Sequence, residues 1–167
     1  MAVAAPPTNA SNVDLVRWAF ETLNAHDVEP LKQFWTNSTV ERFPDRTCRG
    51  AEEIAAYFHE LFTGIPDWRF EIKGIAGEGD HVFIQWRATG THSGPLLGIE
   101  PTGKPIALDG IDHFAFADGT VLSNFVVVDR LQLAEAIGLL PPDGSAADRA
   151  MKAAFNVKTK VAARLRR

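Results

Sequence analysis

WRATGTHSGPLLGIEPTGKPIALDGIDHFAFADGTVLSNFVVVD, residues 86–129, decides how the rest of the chain is read. Its apolar residues alternate with a period near two, the signature of pleated strands. Turn chemistry breaks the pattern at Ser93–Gly103 and again at Asp118-Gly119, so three strands of a curved sheet are expected. Alternation also sorts side chains onto faces. Asp112 shares a face with Leu108, Phe114 and Phe116, and Asp129 has the parity of Phe125 and Val127. A carboxylate on an apolar face is costly unless it is hydrogen-bonded, metal-bound or protonated. Asp112 and Asp129 are therefore the candidate acid/base groups.

Working outward, two more strands precede this stretch or overlap its start, Trp68–Ala76 and His81–His92, joined by Gly77-Glu78-Gly79-Asp80. The sheet then continues through Lys104–Phe116 and Thr120–Val128. Upstream of Gly64-Ile65-Pro66 the period is 3.6. Ser11 or Asn12 can cap a helix from Val13 to about His26, with Leu15, Val16, Ala19, Phe20 and Leu23 as its buried stripe. A short helix near Glu29–Trp35, a strand Ser38–Phe43 and a loop holding Pro44, Asp45 and Gly50 lead to a helix Ala51–Phe62. Beyond the sheet, a turn or two of helix at Asp129–Ile137 ends at Gly138 and Pro141-Pro142, and Ala146–Leu165 forms a last helix. Helices segregated to one side of an antiparallel sheet define an α+β fold. The expected architecture is a curved antiparallel sheet wrapped around the N-terminal helices, a cone with an apolar pocket, plus a C-terminal helical extension. Residues 1–11 read as a flexible leader, 12–140 as the cone domain and 141–167 as a basic extension.

At 167 residues the chain fits one domain with a sizeable core. A net charge of -4 suggests neither a nucleic-acid partner nor a membrane partner. No apolar run reaches spanning length, and MAVAAPPTNASN lacks the positive segment of a signal peptide. With Cys48 as the single cysteine, a reducing, cytoplasmic location is expected. The five histidines are scattered without metal-ligand spacing, so no metal site is expected. Gly98–Lys104 imitates a phosphate loop, but Pro105 and a strand follow where that motif needs a hydroxyl and a helix. It reads as a loop shaping the pocket mouth.

Each candidate has a structural alternative. Asp129 is a base, or the N-cap of the helix that follows it, and the two roles are compatible. Asp112 is a pocket acid, or a strand residue paired with Arg87. His92 ends a strand at a glycine-flanked turn, from which its ring reaches the pocket rim. His113 points away from Asp112, among Ile111 and Ala115, and reads as a packed or interface histidine. Trp86 is core or a wall for a flat ligand; Phe114, Phe125, Trp18 and Phe58 are the other candidate substrate contacts. Asn124 and Arg87 are second-tier orienting groups. The basic tail docks on a partner subunit or the cone, stays disordered, or meets an anionic partner.

Leu23-Asn24-Ala25-His26-Asp27, Gly90-Thr91-His92-Ser93-Gly94, Pro101-Thr102-Gly103-Lys104 and Gly110-Ile111-Asp112-His113-Phe114 resemble the SnoaL-like polyketide cyclases. So does the ending Asp118-Gly119 through Asp129-Arg130-Leu131, and the resemblance covers about Val13–Leu140. That family belongs to the superfamily of α+β cones that includes ketosteroid isomerase. Ile111-Asp112-His113-Phe114 looks like the isomerase segment whose protonated Asp donates to an enolate. The isomerase's Tyr falls near Ala19 and its Asp base near Arg42, so its full machinery is missing. The resemblance implies cofactor-free aldol cyclisation, or a related isomerisation or dehydration, of an apolar polyketide- or steroid-like carbonyl compound. Asp129 would be the base, with protonated Asp112 or His92 steadying the enolate. It also implies a homodimer joined through the outer sheet face. The alternative is a non-catalytic dimeric module that binds a small molecule on the same scaffold.

Overall fold

In the computed structural model, residues 10–166 are described, so the leader expected at 1–11 lies outside the described residues up to position 9. The body opens with α1 (Asn12–Asn24), a short 3-10 turn (Pro30–Gln33), β1 (Trp35–Arg42), β2 (Thr47–Arg49) and α2 (Gly50–Gly64). It continues with β3 (Arg69–Glu78), β4 (His81–Thr91), β5 (Pro105–Ala117), β6 (Thr120–Val128) and α3 (Arg130–Ile137), and α4 (Ala146–Leu165) follows. The six strands lie in the order β2-β1-β6-β5-β4-β3.

The start of α1 is written in its first residues. The Ser11 side chain accepts from the Asp14 N–H while Asp14 reaches back to the Ser11 N–H, a reciprocal cap that satisfies two orphan donors. Val16, Ala19, Phe20 and Leu23 are buried at helical spacing, as expected. On β5 the alternation holds: Ile106, Leu108, Gly110, Asp112, Phe114 and Phe116 are all buried. At the far end Asp129 caps α3 and Gly138 closes it in the left-handed conformation, φ 82°.

Two expectations need correction. The sheet is mixed, because β1 runs parallel to β6 while every other neighbouring pair is antiparallel. Hairpins supply antiparallel neighbours; β1 reaches β6 across residues 43–119, and that kind of long connection permits parallel pairing. The segment after β1, expected as loop, contains β2, a three-residue strand paired to β1. Strands that short carry no periodicity to read. β6 also changes parity part-way. Ala115 faces Ser123 and Phe116 faces Val121, so Leu122 is an extra residue, a bulge. Val121 is buried, yet beyond the bulge Asn124, Val126 and Val128 turn inward and Phe125 and Val127 outward. None of the described helices is long and apolar enough to cross a membrane.

Candidate active site

The concave face of the sheet, closed by α1 and α2, surrounds a cavity whose empty volume, open mouth included, is about 1120 Å³. Its walls are mostly aromatic and aliphatic, including Phe20, Phe58, Trp68, Trp86, Leu108 and Phe114. That lining suits an apolar ligand. Leu96 and Leu97 bring the loop after β4 to the wall.

Three buried polar side chains from adjacent strands interrupt the apolar lining, Glu41 on β1, Asn124 on β6 and Asp112 on β5, apart from the charged residues Asp45, Arg46, Glu60 and Arg130. Register places Asn124 directly opposite Glu41 and one pair removed from Asp112, which faces Val126. All three are buried. The Asn124 amide donates to Asp112 Oδ2 at 3.0 Å and, more weakly, to Glu41 Oε2 at 3.4 Å. The Trp86 indole N–H donates to Asp112 Oδ1 at 2.8 Å, and Trp35 donates to Glu41. A string of polar contacts, Trp35–Glu41–Asn124–Asp112–Trp86, thus crosses four strands on the inner face. Gly110 makes room for it. A Cβ there would collide with the Trp86 ring, so the absence of a side chain lets the indole lie across β5 toward Asp112.

Burial sets the protonation of the two carboxyl groups. Glu41 is pushed up to about 8, first by loss of solvation and then by the neighbouring Asp112 charge, against its donors Asn124 and Trp35. Asp112 is pushed up by the same desolvation, but the Trp86 and Asn124 donors restrain it to about 6. Two carboxyl groups sharing one amide titrate as a pair. Burial thus drives both carboxyl groups toward their protonated forms, Glu41 further than Asp112, and the two stand on one wall of an apolar chamber. Two buried polar atoms of wall residues lack a hydrogen-bond partner, Trp68 Nε1 and Asn124 Oδ1. Among the described residues no three His, Cys, Asp or Glu side chains gather as a metal site.

Of the residues singled out from sequence, the structure brings Asp112, Trp86, Phe114 and Phe58 to the cavity. Asn124, a second-tier candidate, also reaches it, whereas Asp129, Phe125, Trp18, His92 and Arg87 do not. Asp129 lies beyond the end of β6, where its Oδ1 accepts the N–H groups of Leu131 and Gln132 at 2.9 and 3.1 Å and caps α3. Phe125 has outward parity and is 51% exposed. Trp18 is buried against Phe34, off the stripe of Ala19, Phe20 and Leu23 that faces the cavity. His92 is buried away from the wall, with Nδ1 on Thr102 Oγ1 at 3.0 Å and Nε2 unpartnered. Arg87 pairs with Asp109 at 3.0 Å, not with Asp112. Glu41 was not singled out, although strand parity held the signal: it shares a face with Thr39 and Phe43 on the strand expected at Ser38–Phe43. The resemblance to the isomerase points instead to Arg42, one residue further, where a carboxylate is lacking.

A family model for SnoaL-like polyketide cyclase matches residues 13–137, ending before α4. Among solved structures, a protein of Jannaschia sp. CCS1 assigned as a SnoaL-like polyketide cyclase superposes with a TM-score of 0.71 at 25% identity, covering 81% of this chain and 100% of that one. TsrD of Streptomyces laurentii gives 0.71 at 24% identity, covering 80% and 99%. IdmH of Streptomyces antibioticus, assigned as a polyketide cyclase, gives 0.64 at 21% identity, covering 75% and 96%. No curated protein matches the chain in sequence.

Proposed function

The chain belongs to the SnoaL-like polyketide cyclase family, and on that premise we propose that it is a cofactor-free acid/base catalyst acting on an apolar, polyketide- or steroid-like carbonyl compound. The observation that carries this reading is the Glu41–Asn124–Asp112 string, two buried carboxyl groups bonded to one amide at the wall of an apolar cavity.

Asp112, ionised and oriented by two N–H donors, removes a proton from the carbon α to a substrate carbonyl. The electron pair moves to the carbonyl oxygen, and the Glu41 O–H donates to the developing enolate there. In a cyclisation the enolate carbon then attacks a second carbonyl of the same molecule and forms a carbon–carbon bond. The new alkoxide recovers the proton from Asp112. In an isomerisation Asp112 returns the proton to a different carbon. These roles invert the sequence expectation of Asp112 as acid, because Trp86 and Asn124 favour its charged form while Glu41 is raised by desolvation and by the neighbouring Asp112 charge as well.

A non-catalytic module that binds the same class of molecule is the second reading. It is favoured by Ala19, which lines the cavity where the isomerase's Tyr donor would fall. In either reading the protein works in the cytoplasm as a homodimer. Its contact is the outer sheet face, where Phe83, Ile111, Leu122, Phe125 and Val127 are half exposed together. The cone, 12–140, is the functional unit, and 141–167 is an appendage to it.

The test begins with melting temperatures of the purified protein against flat polycyclic ketones and linear polyketones, since a binder stabilises the native state by mass action. Stabilising compounds are then incubated in D₂O, and exchange of the protons α to their carbonyls is followed by NMR. Exchange promoted by the protein and lost in Asp112→Asn supports catalysis. Binding without exchange supports the module, and exchange that survives Asp112→Asn removes Asp112 as the base.

A further inference from the structure

Helix α4 lies beyond the part of the chain that the family match covers, and its construction is not that of a helix belonging to the body. It begins deliberately: Ser145 accepts the Asp148 N–H at 3.1 Å, and Asp148 in turn accepts the Gly144 N–H at 3.0 Å and the Lys152 ammonium at 2.8 Å. From there to its end, every residue is exposed except the half-buried Ala162, and Phe155 and Leu165 remain 67% and 83% exposed.

Helical geometry sorts its residues sharply. Ala150, Ala154, Val157 and Val161 recur at alternating steps of three and four, flanked by Met151, Phe155 and Leu165, and form one apolar face. Arg149, Lys152 and Lys160 lie on the opposite side, and Arg164 borders the apolar face beside Val157. Residues 146–167 hold seven of the chain's 17 Lys and Arg but one of its 21 Asp and Glu, Asp148 in the first turn. The net charge of -4 therefore hides a basic helix on a strongly acidic body. Helices in proteins draw most of their stability from packing an apolar face, so this 20-residue helix needs a surface on which that face can rest. Pairing with α4 of a second copy would bring Lys158 and Arg164, within and beside the apolar face, close to basic side chains of the same kind, with no acidic residue beyond the first turn to offset them. An anionic lipid surface satisfies both faces: the apolar side chains enter the acyl boundary while the basic ones meet the headgroups. Lys158, within the apolar arc, reaches the same plane by extending its stem.

We propose that α4 is an amphipathic anchor that docks the protein on the surface of an anionic membrane, lying in the interface without spanning it. The cavity would then stand beside the phase in which apolar molecules concentrate. The proposal does not depend on the reading of the cavity chemistry.

The experiment is flotation of the full-length protein with vesicles of phosphatidylcholine alone or mixed with phosphatidylglycerol, at about 50 mM and about 500 mM salt, which shortens the screening length severalfold. At low salt, binding to the anionic vesicles is expected to exceed binding to neutral ones by at least about tenfold, and to fall at high salt. Two variants separate the faces: Lys152→Glu with Lys160→Glu and Arg164→Glu, and Phe155→Ser with Val161→Ser. Both are expected to lose vesicle binding while keeping the melting temperature of the body. No binding to anionic vesicles, equal binding to neutral ones, or binding indifferent to Phe155→Ser/Val161→Ser overturns the anchor. So does a Phe155→Ser/Val161→Ser protein whose oligomeric state changes in place of its vesicle binding, because α4 would then cover a second copy.

Discussion

The two faces of β4, β5 and β6 carry similar residue types and do different chemistry. On the inner face Asp112 sits among Leu108, Phe114 and Trp86, bonded to Trp86 and Asn124 and cut off from water. On the outer face Asp109 pairs with Arg87 in the open, and His113 bonds His81 at 3.0 Å with Phe83 stacked on its ring. Residues of one strand thus feed a buried carboxyl pair and a half-exposed apolar surface. The difference is environmental. Desolvation acts on whichever carboxylate the pleat turns inward, and a residue displaced by one position escapes it.

The strongest test of that contrast removes the inner base. Asp112→Asn keeps the shape and the contact with Asn124 but cannot accept a proton, and the rate should fall by about 10³-fold, the scale of one general base. Asp109→Asn, on the outer face, should leave the rate within about twofold on the same reasoning. Comparable losses in steady-state kinetics of the two variants would break the comparison.

Stability against pH comes next. The folded-state value of Glu41 is about 8 against 4.5 for the free group, so the native state holds its proton more tightly than the unfolded chain does. Its contribution is therefore complete below about pH 4.5 and is lost as pH rises toward 8. Asp112 adds the same sign of slope between 3.8 and about 6. Glu41→Gln should flatten the decline and make the protein more stable than wild type above pH 8, by on the order of a few kcal/mol. Urea melts at pH 5 and pH 9 read this directly; parallel curves for wild type and variant would mean that Glu41 is not desolvated in solution.

A smaller effect should follow from Trp86→Phe. The indole N–H favours the charged form of Asp112, so its loss raises the Asp112 value further. The acid limb of the kcat/KM profile should move up by about one pH unit, on the scale of a charge-assisted hydrogen bond, while the alkaline limb set by Glu41 stays in place. If both limbs shift together, the two carboxyl groups cannot be assigned separate roles.

Much of the fold was readable because its signals are local. Ser11 and Asp14 announce α1, Gly138 ends α3, and α4 spans Ala146–Leu165 as expected, since caps and period need only neighbouring residues. The candidate site was half readable. Asp112, Trp86, Phe114 and Phe58 stand out by residue type and parity within one element. Glu41 did not, because its burial depends on β1 lying beside β6, a parallel pairing between residues 83 positions apart. Asp129 was misplaced for a related reason. Parity correctly grouped it with Phe125 and Val127, but parity cannot say which face is inside, and the bulge at Leu122 exchanges the two faces part-way along β6.

The smallest effect should come from Asp129, whose carboxylate accepts two N–H groups at the start of α3 and reaches no wall of the cavity. Asp129→Ala leaves those donors to water and should cost about 1 kcal/mol, the usual weight of an N-cap. The effect on chemistry should be indirect and slight, because α3 reaches the cavity only through its own residues Arg130 and Leu133. Asp129→Asn is the sharper variant, since an asparagine oxygen still caps a helix but does not act as a base. Near wild-type stability and turnover in Asp129→Asn, beside a dead Asp112→Asn, would place the acid/base chemistry wholly on the inner face. A dead Asp129→Asn with an intact melting temperature would return the base to the end of β6 and require α3 to move toward the cavity during turnover.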